Sequence, residues 1–290
     1  MIIKINPLDT FFFRDGKPFS AGQDNWADFV FPPSPSVFYG ALRTLYLANT
    51  IGFDDVQQMI KNTSTLVIKG IYLEKGNELY FPIPNDLVQD KNTNDILLLK
   101  SQTNSEASSL KKNTTILNRL TTSSGVIAEN VESSKLISNE YLVDFYLQNI
   151  DIDKIKFSQN SLVQEAKIGI GRNNESLTTD NQDGLLYRVE MLRFENNDIK
   201  FVIEYEGLEL AKNQFIKVGG EGKLSSYEIE NKSINIQTVS EFIDNKFKLV
   251  FISPAIFKNG WLPNWIDEDT LESNEHLKNI KKKYRVQMLT

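Results

Sequence analysis

The sequence contains no cysteine, which rules out disulfide frameworks and thiolate metal sites. It contains one histidine, His276, inside the charged segment DEDTLESNEHLKNIKKK. A lone histidine there reads as a surface residue, and no nucleophile–base constellation surrounds it. No stretch approaches the ~18 apolar residues that a membrane-spanning helix needs. The opening MIIKINPLDT has no apolar core behind a basic start, so it is not a signal peptide. These absences predict a cytoplasmic protein without membrane contact. Positive charge is also short: 32 Lys and Arg stand against 38 Asp and Glu, for a net charge of −6. That weighs against a general nucleic-acid coat while leaving room for a local basic track. Arginine is the scarcer cation, seven in 290 residues, so each arginine position is informative.

What is present is an ordinary globular balance, 40% apolar and 24% charged, with enough chain for one or two domains. MIIKINPL reads as a short strand with Ile3 and Ile5 on one face. FFFRDGKPF at 11–19 then sets a puzzle, because three phenylalanines run into Arg14, Asp15, Gly16 and Lys17. A surface that stacks bases and neutralises phosphate would want that combination. A half-buried hairpin turning at Asp15-Gly16 would want it too. Two prolines, then Ser34 and Pro35, mark a helix start, and Val37, Phe38, Ala41, Leu42 and Leu45 form its apolar stripe. Strands follow on either side of Lys75-Gly76-Asn77. Residues 89–160 hold a long insertion whose first part is rich in Asn, Ser, Thr and Lys, with a short helix expected at 139–149. LVQEAKIGIGRNN, GLLYRVEMLRF and IKFVIEYEG read as strands, the last two pairing through residues 195–198. LELAKNQF reads as a short helix, VGGEGK as a glycine turn, and LSSYEIE and KFKLVFISPAIF as strands. The order up to about residue 230 predicts an α+β fold on a ferredoxin-like β-α-β-β-α-β plan with inserted hairpins. A shorter unit is expected to follow. The division expected is 1–238, carrying the insertion, and 239–290.

PLDTFFFRDGKPFSAG, FPPSPSVFYGALRT, KIGIGRN with GLLYRVEMLRF, VGGEGK and LVFISPAIFKNGW occur in this order. Together they resemble subunit 3 of the type III-B (Cmr) CRISPR effector, a RAMP-superfamily protein. The resemblance implies two RRM-like, ferredoxin-type domains. It implies a hetero-oligomeric complex in which this subunit holds the 5′ handle of the CRISPR RNA, beside the polymerase-like large subunit and a backbone subunit. It implies no catalysis by this chain, and no cofactor is expected. Family members continue beyond the strand that begins here as YRVQMLT, so the second domain is expected to be incomplete, with poor order after about residue 265 or a partner over its open edge.

Each candidate RNA contact has a plain alternative. Arg14 and Lys17 lie by the guide-binding face if the resemblance holds, or simply cap an exposed hairpin. Phe11–Phe13 read as core, since large apolar side chains are mostly buried. Ser34, Ser36, Tyr39 and Arg43 sit on or beside a helix whose start offers free amides, or they serve as caps and an ion pair. Lys167, Arg172, Arg188 and Arg193 cluster in neighbouring strands, where Tyr187 can join Lys167 and Arg172 in a track, or they belong to a solvated face. Gly219, Gly220, Gly222 and Lys223 form a loop whose amides can turn onto phosphate, or a structural turn without the spacing of a P-loop. Two rival functions stand beside RNA binding. One is a metal-dependent endoribonuclease using Asp9, Asp15, Asp24 and Asp28, residues that also suit turns. The other is a purely protein-binding scaffold.

Overall fold

The computed structural model describes residues 1–14, 16, 26–103, 118–122, 126–131, 135–142, 152, 155, 157–158, 161–170, 186–196, 198–212, 215–234, 236, 250–258 and 263–267. Along the chain run β1 (Ile2–Pro7), β2 (Trp26–Ala27), α1 (Pro35–Asn49), α2 (Val56–Thr63), β3 (Val67–Lys75), β4 (Glu78–Pro82), β5 (Leu87–Asp90) and β6 (Ile96–Leu98). There follow β7 (Lys100–Thr103), β8 (Asn118–Thr121), β9 (Ala128–Asn130), β10 (Leu136–Ser138), β11 (Phe157–Ser158) and β12 (Leu162–Ile170). The last are β13 (Leu186–Phe194), β14 (Ile199–Glu206), β15 (Phe215–Lys217) and β16 (Leu224–Glu230). The fold is mixed α+β, with mostly antiparallel sheets and few helices.

The chain divides into two compact units. The first comprises 1–82, 133–142 and 156–236, and the second 83–132, 143–155 and 237–290. The first unit is built on an eight-stranded sheet, ordered β11-β10-β4-β3-β14-β1-β16-β15. β1 and β3 are both antiparallel to the β14 strand between them, so they run parallel, linked by a crossover that contains α1. α1 starts where the prolines dictate. Ser34 is extended, Pro35 takes the first turn, and Phe38, Ala41, Leu42 and Leu45 are buried along one stripe. The core beneath is aromatic. Phe201 of β14 is surrounded by Phe11, Phe38, Phe194 and Phe13 at ring-centroid distances of 5.3, 5.1, 5.3 and 5.8 Å. Phe11 and Phe13 stack at 5.2 Å. Phe12 turns the other way and packs with Ala27, Val189 and Met191. Phe11, Phe12 and Phe13 are therefore buried and offer no ring to a base, while Phe19 lies outside the described residues.

Across one face of this sheet, buried Lys4 on β1 binds Glu74 on β3 at 2.9 Å and Glu230 on β16 at 3.0 Å. Burial opposes its charge, but these two carboxylates prevail and raise its pKa.

A second sheet in the same unit is a long hairpin arm, β12-β13, with β2 parallel to β13. Here the structure corrects one expectation. β13 and β14 are not a hairpin pair: β13 pairs with β12 through nine registered positions, and β14 joins β1 and β3 in the main sheet. β13 buries Leu192 and Phe194 on one face and Val189 and Met191 on the other, so the arm is anchored on both sides. Residues 208–212 are irregular rather than helical, and 250–256 form no strand. α2 had no forecast in the sequence. Residues 139–142 are helical as expected, while 143–150 and the chain from 268 onward lie outside the described residues.

The second unit contains a three-stranded sheet, β6-β5-β9, and the pair β7-β8. It also holds an aromatic chain, in which Phe257 meets Phe251 at 5.6 Å and Trp265 at 6.0 Å.

Candidate nucleic-acid interface

The glycine turn joins β15 to β16. Gly219 and Gly222 have φ of +77° and +61°, the left-handed region that glycine enters without steric cost. A Cβ on Gly219 would stand 2.4 Å from the Phe12 carbonyl oxygen, so both backbone twist and close approach require glycine there. The Gly220 N–H donates to that same carbonyl at 2.8 Å. The turn is thus fastened to the Phe11–Phe13 stretch. The stretch is fastened in turn to the arm, with Phe11 and Leu192 exchanging backbone hydrogen bonds of 2.7 and 2.8 Å.

This three-way junction gathers charge. Lys223, at the end of the turn, donates to Asp9 Oδ2 at 2.6 Å. Lys167 of β12 lies 3.5 Å from the same oxygen and donates to buried Thr10 Oγ1 at 3.3 Å. Arg193 of β13 lies 3.6 Å from Asp9 Oδ1 and binds Glu165 through Nε at 2.6 Å. These three cations and two carboxylates carry one surplus positive charge, which Glu221 in the same turn offsets. The hydrogen bond from Lys223 holds the Asp9 carboxyl down at about 2, helped by the Thr10 amide and the Lys167 charge and opposed by partial burial. The Asp9 bond likewise raises the Lys223 ammonium.

The sequence matches the family described as CRISPR-associated protein (Cas_Cmr3) over residues 3–288. The chain belongs to that family. Its fold is similar to chains in two solved structures. One is a cryo-EM structure of type III-B Cmr-β bound to cognate target RNA and AMPPnP, with TM-score 0.50, 18% identity, and coverage of 83% of this chain and 66% of that one. The other is type III-B Cmr-β bound to cognate target RNA, with TM-score 0.50, 15% identity, and coverage of 94% and 75%. The chain thus spans about two thirds to three quarters of the length of the chains it resembles. No curated protein matches it.

Among the residues expected to meet RNA, Lys167 and Lys223 come together at the junction with Gly219 and Gly220. Arg193 joins them, and Asp9 and Thr10 complete the group. Arg188 does not. In the β12-β13 register Lys167 faces Val189 while Arg188 faces Ile168, so Lys167 and Arg188 occupy opposite faces of the arm, and Arg188 binds Glu190 at 3.0 Å. Tyr187 shares the face of Lys167 and lies over Gly169, where a Cβ would meet its ring at 2.0 Å. Arg14 is exposed and forms an isolated bridge with Phe29. Ser34 and Ser36 share a hydroxyl–hydroxyl hydrogen bond of 2.9 Å, and the Ser34 side chain does not cap α1. Tyr39 is half-buried against the core. Arg43 donates through Nε to Thr63 at 3.0 Å, tying α1 to the end of α2. Lys17 and Arg172 lie outside the described residues.

Of the aspartates of the nuclease reading, only Asp9 and Asp28 lie among the described residues. Asp9 is enclosed by cations, Asp28 is half-buried, and Asp15 and Asp24 lie outside the described residues. Among the described residues no group of three His, Cys, Asp or Glu side chains can hold a metal, and no helix is long and apolar enough to cross a membrane.

Proposed function

We propose that this chain is a non-catalytic, RNA-binding subunit of a type III-B CRISPR effector complex, built on ferredoxin-like RAMP domains and working in the cytoplasm. It holds the 5′ handle of the CRISPR RNA and bridges the polymerase-like large subunit to the backbone. One observation carries the reading. The glycine turn, the strand arm and the loop after β1, distant in sequence, bring Lys167, Arg193 and Lys223 to one junction around Asp9. Such a junction grips a sugar-phosphate backbone by charge-assisted hydrogen bonds, whatever the base sequence. Family membership favours the same reading.

The test is photocrosslinking in the assembled complex, with a guide carrying 4-thiouridine in its 5′ segment. Adducts are expected within residues 9–12, 165–167, 193 and 219–223. Adducts confined to other subunits would favour a purely protein-binding scaffold and overturn the proposal.

A further inference from the structure

The Asp9 carboxylate sits where three cations meet. It carries one negative charge and two acceptor oxygens, as a phosphodiester does. Three cations from three separate elements converge on it: Lys223 at 2.6 Å, Lys167 at 3.5 Å and Arg193 at 3.6 Å. The last two distances are long for charge-assisted hydrogen bonds, which close to about 2.7–2.9 Å. Lys167 and Arg193 are therefore gathered around Asp9 without being closed on it. Glu165 holds Arg193 separately, so the arm keeps its shape without Asp9. The Asp9 side chain is 44% exposed, while the neighbouring Thr10 is buried and hydrogen-bonded to Lys167. Rotation about the Asp9 side-chain bonds can swing the carboxylate into water while the backbone on either side stays anchored.

We propose that Asp9 is a built-in competitor for the anion site formed by Lys167, Arg193 and Lys223. In the free chain its carboxylate pairs with Lys223 and screens Lys167 and Arg193. When a phosphodiester of RNA arrives, it displaces the carboxylate and takes the three donors. The inference rests on the RNA-binding reading above and adds regulation to it. The isolated chain binds RNA weakly because each encounter must first break an internal ion pair. Nucleic acid without further contacts to the complex is thereby rejected.

The consequence runs opposite to that of an ordinary structural ion pair. Asp9→Asn keeps the side-chain shape and removes the charge. It should lower the melting temperature of the free protein slightly, yet tighten binding of a short single-stranded RNA about two- to fivefold, since an exposed ion pair is worth at most about a fivefold step. The plot of log affinity against log salt should steepen by about 0.7, as one more phosphate is neutralised without an internal competitor. Asp9→Asn combined with Lys223→Met should lose the gain. Both proteins would be titrated with the RNA and, separately, melted with and without inorganic pyrophosphate. Tighter RNA binding by Asp9→Asn supports the proposal. Unchanged or weaker RNA binding by Asp9→Asn, with measurable binding by the parent, overturns it and leaves the RNA-binding reading intact. If neither protein binds RNA but pyrophosphate stabilises Asp9→Asn more than the parent, the anion site stands and the RNA reading falls. If neither protein binds RNA and pyrophosphate stabilises both alike, both fall.

Discussion

Phe11 shows how one side chain can serve position rather than contact. It is fully buried and stacks within the ring cluster around Phe201, so Phe11→Ala should cost about 3–5 kcal/mol. Ile168, 71% exposed on the arm, should tolerate Gln within about 0.5 kcal/mol. Urea unfolding curves of the two variants check the contrast. This much was legible in the sequence, because large aromatics next to a strand prefer the core. Asp9 was not. Its partner Lys223 is 214 positions away, and no local pattern links a loop aspartate to a distant glycine turn. Its carboxyl at about 2 sets a pH signature. An aspartate depressed in the folded state adds stability above its unfolded value of about 3.9, and that stability disappears as pH falls through the folded value. The stability advantage of the parent over Asp9→Asn should therefore be full above about pH 4 and vanish toward pH 2. A carbon-13 titration of the Asp9 carboxyl should report a midpoint near 2.

Among the elements, the glycine turn separates two demands on glycine. Gly222 has φ +61° with open space where a Cβ would sit, whereas Gly219 has φ +77° and the Phe12 carbonyl 2.4 Å from that point. Gly222→Ala should cost about 1–2 kcal/mol, the left-handed penalty alone. Gly219→Ala should cost more and also loosen the seat of Lys223, visible as a lower melting temperature together with weaker RNA binding. The start of α1 was legible because prolines and Ser34 restrict local geometry directly. The partner of β13 was not. Alternating apolar residues ahead of Glu195 and after Asp198 describe a hairpin equally well whether the two strands pair or part into different sheets. Only burial on both faces of β13 tells them apart, and burial belongs to the folded state. The basic cluster was half legible for the same reason. Counting cations in the arm found Lys167, Arg188 and Arg193, but the register sends Arg188 to the other face.

For the molecule as a whole, a net charge of −6 means that any RNA affinity must come from local placement against a repelling background. Binding by the isolated chain should be modest and fall steeply with salt. Lys167→Ala with Lys223→Ala should weaken it and flatten the salt plot by up to about 0.7, the share of one phosphate on a single strand. Filter binding across a salt series measures both effects; tight binding at high salt would point to a different surface. The sheet order carries a consequence for biosynthesis. β1 lies between β14 and β16, with Ile3 opposite Ile203 on one side and Ile229 on the other. At about 5–20 residues per second, a ribosome needs on the order of ten to forty-five seconds after making β1 before both of its neighbours exist. Throughout that interval an isoleucine-rich segment emerges from the exit tunnel with no edge to join, and its safekeeping falls to whatever attends the nascent chain.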